Sequence, residues 1–557
     1  MKKTEKLRLG VMCLGQALPD WQKRCIDNML ATGHVELSLV ILDAPENYPS
    51  TSSWNKVRHI ESSKLLFTAY TKILYKPRSV ATQDASSLFA DIPVISCVVQ
   101  KKGKYSQYFS TDDIQVIRSY QLDIILRFGF NIIRGEILKT ATYGVWSFHH
   151  DDEMKYRGGP PCFWEIYRGD PETGAVLQKL TDKLDGGVVL KKGIFRTKRY
   201  SYQKNVDQAY YESAKWPAWV CRDIVNGSAA YIGNPPTPTQ APIYRYPTNS
   251  QFFRFGWILF ANFLRHVYFR LFVMQRWNVA LLKGNMAMLQ TTPHSLPRTF
   301  LKQRNKHSFN ADCFGAATEE GIAVFYEELD YSKQGKGEIK LAKFDRGGKE
   351  IGYAIPEGLD IQTHASYPYL FRENGAVFMI PETGAAKKVS LFRSEEFPAR
   401  WTWEADLLKG QAISDATLLH HQGMYWLFFT IHSNQFDADL HLHLAYSTSL
   451  GNAFTSHPQN PVKISARSAR PAGTPYLDPD GNLIRPAQNF CRTYGGSVVL
   501  NKITTLSTTD YAEEEIGEVK PFDSYYKDGL HTVAVVNDDF LLVDMKRHVF
   551  RLLAHRH

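Results

Sequence analysis

The sequence predicts two fold classes in series: an α/β, doubly wound (Rossmann-like) domain and then an all-β domain, a five-bladed β-propeller. Apolar strands alternate with helical segments from residue 7 to about 200, which is typical of a parallel sheet covered on both faces. Beyond residue 305, short strands rich in β-branched and aromatic residues are separated by Gly, Asn and Asp turns. A proline-rich segment separates the two patterns.

Length and composition indicate a globular protein with more than one core. The chain has 557 residues, of which 44% are hydrophobic and 22% charged. The aromatic share of 13% is common in β-rich folds and in sugar-stacking surfaces. The formal net charge of +10 is spread along the chain without a basic block. We therefore expect no nucleic-acid partner, and phosphorylated or nucleotide-linked small molecules match the sign of the charge.

Cysteine usage and the N-terminal segment bear on location. Seven cysteines are scattered along the chain with no CxxC pair, so we expect neither a disulfide framework nor a metal cluster. A reducing, cytoplasmic location follows. The segment MKKTEKLRLGVMCLG has an apolar run that is shorter than the core of a signal peptide, and we expect no export.

The elements of the first domain follow in chain order. The predicted strands and helices are LRLGVMCLG (strand), DWQKRCIDNMLATG (helix with a glycine stop), HVELSLVILD (strand), DDIQVIRSYQLDIILRFGF (helix, then strand) and YGVWSFHH (strand). In parallel sheets, ligands bind beyond the carboxyl ends of the strands. His149 and His150 stand at such an end, and they mark a candidate site.

A helix over residues 200–226, closed by Asn226 and Gly227 and bent at Pro217, is predicted next. The segment NPPTPTQAPIYRYPTNS then carries five prolines and indicates a linker. We place the α/β domain at residues 1–230, the linker with an amphipathic aromatic helix at 231–300 and the propeller at 301–557.

The most apolar stretch of the chain covers residues 252–282 and is predicted to be helical. Its longest run without a charge, Phe255 to Leu264, is ten residues, about half of what a bilayer-spanning helix needs. Arginines among the aromatic residues would suit a helix lying on an anionic membrane surface: Arg254, Arg265, Arg270 and Arg276. A helix packed between two domains is the alternative, so peripheral membrane contact through residues 252–276 stays open.

Five segments of the second domain share one layout: a polar cluster, an apolar strand, a turn and an aromatic strand. They begin at residues 309, 364, 412, 470 and 528, which are 55, 48, 58 and 58 residues apart. Weak repeats of this period, each with four short strands, are typical of propeller blades. A two-sheet sandwich is the alternative, and it predicts no such spacing.

The candidate site resembles a known family. The segment SFHHDDEMKYRGGPPCFWE is followed by Leu184-Asp185-Gly186-Gly187, and Asp185 lies 36 residues after His149. These residues resemble the folate-dependent formyltransferases, which act on glycinamide ribonucleotide, methionyl-tRNA or amino sugars. That family has Asn-x-His, then Tyr-Arg-Gly, then Leu-Asp-x-Gly at similar spacing, and the resemblance covers about residues 7–230. DIILRFGFNIIRGEIL is similar to the family segment that lines the pterin pocket, here around Leu126 and Phe128.

The resemblance implies a reaction and a cosubstrate. An amine of the acceptor attacks the formyl carbon of N10-formyltetrahydrofolate, His149 accepts the amine proton, and Asp185 holds the imidazolium and orders a water. Gly186 and Gly187 would let the backbone approach the bound cosubstrate. Ser147 stands where the family has Asn, so a donor to the carbonyl oxyanion is smaller here. His150, or a water held by Ser147, would supply the missing contact.

The loop after the histidines would shape the acceptor side of the cleft. The resemblance makes Arg157 a contact for a phosphate or carboxylate of the acceptor. The acids Asp151, Asp152 and Glu153 are predicted to form a solvated face. Nothing in the chain resembles the tRNA-binding barrel of the family, so tRNA is not the expected acceptor.

The second domain resembles, blade by blade, the five-bladed carbohydrate-active propellers of certain glycoside hydrolases and of plant glucosamine inositolphosphorylceramide transferases. The residues behind this are NADCFG, ISDATLL and LHLAYSTSLGNAFTSHPQNPV. Six polar side chains are expected at the central axis: Asp312, His364, Glu382, Asp415, Arg470 and His531. A ring of carboxylates suits acid–base chemistry on a sugar, and a binding pocket, a hydrolase and a scaffold all stay open. Tyr367, Trp426 and Arg485 would contact a sugar or belong to the core.

Three functions remain. The first is an N-formyltransferase acting on an amino sugar, nucleotide-linked, with the propeller as substrate-binding or assembly module. The second is a carbohydrate-active propeller, glycosidase or glycosyltransferase, with a regulatory folate-binding domain. The third is a non-catalytic binding protein. The acceptor amine and the oligomeric state are left open.

Overall fold

The protein divides into two compact units, Met1–Arg265 (unit 1) and His266–His557 (unit 2). The computed structural model describes residues 6–47, 62–103, 105–183, 186–332, 336–432 and 440–551.

Unit 1 is built on one seven-stranded sheet. Its strands are β1 (Leu7–Cys13), β2 (Val35–Asp43), β3 (Val94–Cys97), β4 (Ile124–Arg127), β5 (Val145–His149), β6 (Glu172–Lys179) and β7 (Val188–Arg196). The spatial order is β7-β6-β5-β4-β1-β2-β3. Strands β1 to β5 pair in parallel, and β6 and β7 add antiparallel neighbours at one edge. The predicted α/β class is therefore confirmed.

The strand order reverses between β1 and β4, and a crevice is expected at the carboxyl ends of these two strands. From β1 the chain proceeds to β2 and β3 on one side of the sheet, and it returns to β4 and β5 on the other. Such a reversal separates the loops that follow the two central strands, and ligands of α/β proteins bind there. The predicted site at the end of β5 lies one strand away from this switch point.

Helices connect the strands of unit 1. They are α1 (Asp20–Ala31), α2 (Leu65–Ile73), α3 (Ser86–Phe89), α4 (Thr111–Ser119), α5 (Trp164–Arg168), α6 (Tyr202–Ser213) and α7 (Trp216–Val225). The predicted helix over residues 200–226 is two helices, with Pro217 in the first turn of α7. Proline is tolerated there because the first N–H groups of a helix have no intrahelical partner.

The apolar stretch predicted as one helix changes structure at its middle. Helix α8 (Asn249–Phe272) ends where strand β8 (Val273–Lys283) begins. The strand forms because every residue of β8 pairs with a residue near the C-terminus, from Val273 opposite Phe550 to Lys283 opposite Phe540. A short helix, α9 (Met286–Thr291), follows. Among the helices of the described residues, none is long and apolar enough to cross a membrane.

The described residues of unit 2 form five antiparallel sheets. After β8 its strands are β9 (Arg298–Phe300), β10 (Ser308–Ala317), β11 (Gly321–Asp330), β12 (Gly337–Asp345), β13 (Glu350–Ala354), β14 (Ser366–Glu373), β15 (Ala376–Glu382), β16 (Lys388–Glu396), β17 (Arg400–Lys409), β18 (Ile413–His421), β19 (Met424–Ile431), β20 (His441–Ser447), β21 (Thr455–Ser456), β22 (Lys463–Ile464), β23 (Tyr476–Leu477), β24 (Leu483–Asn489), β25 (Ser497–Leu506), β26 (Tyr511–Val519), β27 (Gly529–Val535) and β28 (Phe540–Phe550). The sheets are β10–β13, β14–β17, β18–β22, β23–β26 and β9-β8-β28-β27.

The fifth sheet combines strands from both ends of unit 2. Strand β8 pairs with β9 on one side and with β28 on the other, and β28 pairs with β27, although the sequence analysis assigned residues 231–300 to the linker. Strands β8 and β9 precede the first repeat and carry no repeat signal of their own. The place of β8 is decided by β28, a partner more than two hundred residues away in the chain, and β9 joins the sheet through β8.

In four sheets, one edge strand contains a β-bulge; these strands are β10, β14, β18 and β27. The register shifts between Ala311 and Phe314, Ser366 and Tyr369, Ser414 and Thr417, and Leu530 and Val533. In three of these bulges a residue has positive φ: Asp312 (+51°), Tyr367 (+42°) and Asp415 (+52°). A bulge leaves one residue outside the ladder and turns its side chain, and Asp is among the residues that tolerate the left-handed region. The repeated polar cluster of the sequence is therefore the mark of this bulge.

Gly473 contacts two strands of unit 2, at Tyr367 and at Val533. Its N–H donates to the hydroxyl of Tyr367 (2.8 Å), and a Cβ at this position would lie 1.7 Å from the carbonyl oxygen of Val533. Its φ is +131°. Only glycine allows this close approach of two backbones.

We expect Gly473→Ala to destabilise unit 2 strongly. Positive φ alone costs an alanine about 1–3 kcal/mol, and overpacking against Val533 adds about 1–3 kcal/mol or more. Calorimetric unfolding of the full chain measures the effect. Gly451→Ala is the matched control, because Gly451 has φ +134° and no atom within 4 Å of the added Cβ. Equal losses for both variants would show that the close approach is unimportant.

Candidate functional site

At the carboxyl ends of β4 and β5 the structure joins an arginine to the predicted serine. The buried Oγ of Ser147 accepts hydrogen bonds from Arg127, at 3.2 Å from Nε and 2.8 Å from Nη2. The other terminal nitrogen of Arg127 donates to the carbonyls of Phe130 (3.2 Å) and Asn131 (2.8 Å). Because Ser147 accepts twice, the role left to its hydroxyl is to donate its own hydrogen. The sequence analysis missed Arg127, whose signal is a charge at the end of an apolar strand.

His149 is the last residue of β5 and is buried. Its Nε2 lies 2.8 Å from the carbonyl oxygen of Tyr156. A carbonyl oxygen only accepts hydrogen bonds, so Nε2 carries a hydrogen in this arrangement. In the neutral ring Nδ1 is then the nitrogen that can take a proton. The predicted partner, Asp185, lies outside the described residues, and its pairing with His149 stays a prediction.

His150 belongs to the packing of unit 1. Its Nε2 lies 3.0 Å from the hydroxyl of Ser213, and its ring packs 5.5 Å from Phe148, 5.0 Å from Trp21 and 4.0 Å from Tyr210. Burial, and to a lesser degree the neighbouring His149, lowers the pKa of His150 to about 3. The structure thus places a neutral core histidine where the sequence analysis expected a contact to the carbonyl oxyanion.

The loop after β4 is fixed onto the end of β1. The N–H groups of Phe128 and Gly129 both donate to the carbonyl of Met12, at 2.8 and 2.9 Å. A Cβ on Gly129 would lie 2.9 Å from the backbone of Cys13. Leu126 is fully buried within the sheet, and the half-buried ring of Phe128 lies 5.3 Å from Trp21. Of the two predicted pterin-pocket residues, Phe128 therefore lies in the loop at the carboxyl end of β4, whereas Leu126 is a core residue of the strand.

The buried glycines Gly186 and Gly187 follow directly after the part of the loop that is not described. A Cβ on Gly187 would lie 2.4 Å from the carbonyl oxygen of Lys179, and the Gly187 N–H donates to Gln178 Oε1 at 3.1 Å. Close packing against β6 is sufficient to require glycine at this position. The predicted contact of the two glycines with a cosubstrate stays a prediction.

The three acids after the histidines are not a solvated face, and that prediction is wrong. All three side chains are buried. Asp151 accepts the N–H of Cys162 at 2.7 Å, and Lys192 lies 2.7 Å from Asp152 and 3.1 Å from Glu153. A lysine on β7 and backbone donors compensate the buried charges, which buried carboxylates require.

Two more side chains bear on this end of unit 1. Glu165 on α5 is fully buried, and burial raises its pKa to about 8, so its carboxyl group is largely protonated at neutral pH. The sequence analysis did not identify it. Arg157 is half-buried and donates to the carbonyl of Ala241 at 3.4 Å, and its expected contact with an acceptor phosphate stays a prediction.

In unit 2 a fully buried carboxylate, Asp544, holds two of the bulges. One oxygen accepts the N–H of His531 (3.1 Å), the N–H of Thr532 (2.9 Å) and the ring Nδ1–H of His531 (2.7 Å). The other accepts the N–H of Asp312 at 2.8 Å. Burial alone would raise the pKa of Asp544, but the charge and hydrogen bonds of His531 lower it. No sequence pattern singled out this residue.

His531 lies between two carboxylates. Its Nε2 is 3.4 Å from Asp312 Oδ1, and its ring stacks on Trp277 at 4.0 Å. Burial opposes its charge, but Asp544 and Asp312 outweigh this and raise the pKa of His531. The nitrogen and oxygen atoms of the three residues lie within 4.8 Å of one another, a spacing that a metal ion could use. Asp544 accepts four hydrogen bonds in this cluster, and the raised pKa of His531 favours the protonated ring beside the two carboxylates.

A second group contains the remaining predicted carboxylates. Arg470 donates to the fully buried Asp415 through Nε and through Nη2 (3.2 Å), and Gln488 donates to it at 2.6 Å. The N–H of Asp415 donates to Glu382 at 3.0 Å, and Glu382 lies 3.8 Å from Arg470. The structure thus brings Glu382, Asp415 and Arg470 together. Gln488 was missed because a glutamine in a strand carries no distinctive signal.

Two carboxyl groups of this region have pKa values near neutrality. Burial raises the pKa of Asp312 to about 6 and that of Asp415 to about 7. Burial and the surrounding carboxylates raise the pKa of Glu327 well above its usual value. Glu327 lies 3.5 Å from His364, and its signal is a Glu in the apolar strand β11. Groups with such pKa values exchange protons at physiological pH, which is common in active sites.

The three predicted sugar contacts are core residues. Trp426, Arg485 and Tyr367 are all buried, and Arg485 pairs with Glu513. The hydroxyl of Tyr367 lies 2.9 Å from Thr417 and accepts from Gly473. Of the two alternatives left by the sequence, contact with a sugar or a place in the core, the burial and contacts of these residues favour the core.

Comparisons with known proteins relate unit 2 to one family. Residues 296–524 match the family described as glucosamine inositolphosphorylceramide transferase 1, N-terminal. The chain is 31% identical over 233 residues to glucosamine inositolphosphorylceramide transferase 1 of Arabidopsis thaliana, covering 41% of this chain and 29% of that protein. It is 39% identical over 80 residues to methionyl-tRNA formyltransferase of Prochlorococcus marinus, covering 14% of this chain and 24% of that protein. The chain thus spans under a third of the length of these relatives.

Two solved structures are more distantly similar. A family 117 glycoside hydrolase of Zobellia galactanivorans is 14% identical, with a TM-score of 0.32, covering 49% of this chain and 90% of that one. Glycinamide ribonucleotide transformylase 1 of Symbiobacterium toebii is 12% identical, with a TM-score of 0.28, covering 40% of this chain and 89% of that one.

We expect His150 to make unit 1 less stable in acid. The pKa of His150 is about 3 in the folded protein and about 6.5 in the unfolded chain. Between these two pH values the histidine is neutral in the folded protein and binds a proton when the chain unfolds. Its contribution to stability is then lost at about 1.4 kcal/mol per pH unit as the pH falls. Unfolding midpoints from pH 4 to 8 should fall less steeply for His150→Phe than for the wild type. The exposed His34→Phe is the control, and equal slopes for all three proteins would contradict the assignment.

Proposed function

We propose that the protein is an N-formyltransferase that moves a formyl group from N10-formyltetrahydrofolate to the amine of an amino sugar, nucleotide-linked. The observation that carries the proposal is the group formed by His149, Ser147 and Arg127 at the carboxyl end of the parallel sheet. Similarity to methionyl-tRNA formyltransferase supports formyl transfer as the reaction class. The seven cysteines, all free and buried, support a reducing cytoplasm as the place of action.

The crevice residues fit the cosubstrate. The ring of Phe128 and the neighbouring apolar strand ends would contact a flat pterin, and the fixed loop after β4 would keep its edge in place. Bound there, the cosubstrate supplies an electrophilic formyl carbon. The exposed rim of the crevice would receive the acceptor amine.

In the proposed reaction, His149 transfers the proton, and the Arg127–Ser147 pair stabilises the developing oxyanion. As the amine nitrogen bonds to the formyl carbon, His149 Nδ1 takes the amine proton, because Nε2–H is held by the carbonyl of Tyr156. Ser147 donates its hydroxyl hydrogen to the oxygen that gains negative charge, and the guanidinium of Arg127 polarises that hydroxyl. His149 then returns the proton to the folate nitrogen as its bond to the formyl carbon breaks. Asp185 is proposed to stabilise the imidazolium between these steps.

Unit 2 is proposed to bind the sugar. We infer that its five sheets close into a five-bladed propeller with the Asp312 and Asp415 groups at the centre. The hydrogen bonds and charges of these groups suit recognition of hydroxyl and amine substituents. Plant relatives of unit 2 carry glucosamine in their name, and glucosamine has the amine that formyl transfer requires. An amino sugar therefore suits both units.

One observation favours a second function. Asp312 and Asp415 have pKa values of about 6 and about 7, so one carboxyl can act as acid while another stays ionised. This is the requirement for glycosidic bond chemistry. In that case unit 2 is the carbohydrate-active enzyme, hydrolase or glycosyltransferase, and unit 1 a regulatory folate-binding domain.

Formyl transfer is tested by incubating the full chain with N10-formyltetrahydrofolate and a panel of nucleotide-linked amino sugars while tetrahydrofolate release is followed. We expect His149→Ala to lower the rate by at least about 100-fold through loss of the base. Arg127→Met should lower it by about 100-fold or more through loss of oxyanion stabilisation. The exposed His34→Ala should leave it unchanged. A wild type that is inert across the panel would refute the proposal.

Sugar cleavage by unit 2 is tested with chromogenic glycosides. If the second function holds, Asp312→Asn should abolish turnover while circular dichroism stays unchanged, because an amide cannot exchange the proton. Asp538→Asn is the control, since Asp538 is exposed in the turn between β27 and β28. Absence of hydrolysis by the wild type excludes a glycosidase, and equal rates for the two variants exclude Asp312 as its catalytic group.

A further inference from the structure

Helix α8 exposes an apolar stripe on unit 1. Phe253 is 78% exposed, Trp257 67%, Phe260 52% and Leu264 52%. These residues are four, three and four positions apart, so they lie on one face of the helix. Soluble surfaces rarely expose aromatic residues in such a row.

The apolar surface continues onto helix α2. The side chain of Asn249 accepts the N–H of Leu66 at 3.0 Å and donates to the carbonyl of Ser62 at 2.8 Å, and Phe67 packs 5.6 Å from Phe252. These contacts fix the two helices side by side. Leu65 and Leu66 of α2 are themselves about half exposed. The stripe and these two leucines form what we call the apolar face.

The charged side chains of helix α8 are all positive. Helix α8 contains no Asp or Glu between residues 249 and 272. Arg254 and Arg265 are exposed, and both lie about a quarter turn from the stripe at helical spacing. Arginine stems lie along apolar surface while their guanidinium groups reach polar surroundings.

We propose that the apolar face binds the surface of an anionic lipid bilayer. Phe253, Trp257 and Phe260 would enter the headgroup region, and Arg254 and Arg265 would meet lipid phosphates. The helix would lie in the membrane plane, since it is not apolar enough to cross. A second copy of this chain is a poorer occupant, because it would bring arginines against arginines with no acid on either helix. This inference does not depend on the proposed function.

The test is cosedimentation of the full chain with vesicles of phosphatidylcholine alone and of phosphatidylcholine mixed with phosphatidylserine. We expect binding to be at least about tenfold stronger to the mixed vesicles and to weaken at high salt. The double variant Trp257→Glu with Phe260→Glu should lose about tenfold or more of this binding. The control is Leu477→Glu with Ile355→Glu, two apolar residues of unit 2 that are 64% and 61% exposed.

A charge variant separates electrostatic from apolar binding. Arg254→Glu with Arg265→Glu should reduce binding to the mixed vesicles by about tenfold and leave weak binding to phosphatidylcholine unchanged. The control is Lys349→Glu with Lys409→Glu, both exposed in unit 2. Equal sedimentation of wild type and all variants would overturn the proposal. So would a concentration-dependent dimer in sedimentation velocity that Trp257→Glu abolishes, because the face would then be covered by a second copy.

Discussion

The buried carboxylate of Asp544 connects two strands of unit 2 that are 232 residues apart in the chain. Each β-bulge removes backbone N–H groups from the strand ladder, and a buried N–H without a partner is costly. Asp544 accepts three of these groups, one at Asp312 and two at His531 and Thr532. His531 in turn balances the negative charge. The bulges that turn polar side chains together are therefore possible because one carboxylate satisfies their backbones.

At the end of the parallel sheet in unit 1, one side chain, Arg127, likewise makes several contacts. Arg127 uses one side of its guanidinium to close the loop after β4 and the other to hold Ser147. The same pair brings positive charge and a hydroxyl donor to the strand end where His149 stands. A residue that stabilises the loop is thus also the residue best placed to stabilise a developing oxyanion. In the proposed reaction, Arg127 therefore has both a structural and a chemical role.

Different chemical groups in the two units suggest the same proposed substrate, an amino sugar. In the proposed reaction, His149 of unit 1 would act as the base and Ser147 with Arg127 as the oxyanion donor, which suits an amine and a one-carbon donor. Unit 2 offers buried carboxylates, an imidazolium and a guanidinium, which suit a polar sugar. The exposed aromatic residues of α8 lie outside both groups, and with the neighbouring arginines they suit the lipid surface proposed for them.

Much of the fold could be predicted because its signals are local. The alternation of strands and helices set the α/β class, and the recurring polar cluster located the first strands of the sheets, since a bulge needs residues that tolerate positive φ. His149 at a strand end, and Asp312, Glu382, Asp415, Arg470 and His531 as one region, followed from the same local patterns. Several of these residues lie close together because they occupy corresponding positions of the repeats, and those positions are visible in the sequence.

Tertiary structure decided what depends on distant partners. It made Val273–Lys283 a strand because the C-terminal strand pairs with it, and it buried Asp151, Asp152 and Glu153 because Lys192 and backbone donors compensate them. It also assigned His150 to the core and revealed Arg127 and Asp544. Burial and charge compensation are properties of a neighbourhood, and only the folded chain brings these neighbours together. The sequence by itself determined the types of element and the position of the chemical groups, whereas folding determined which of those groups are paired.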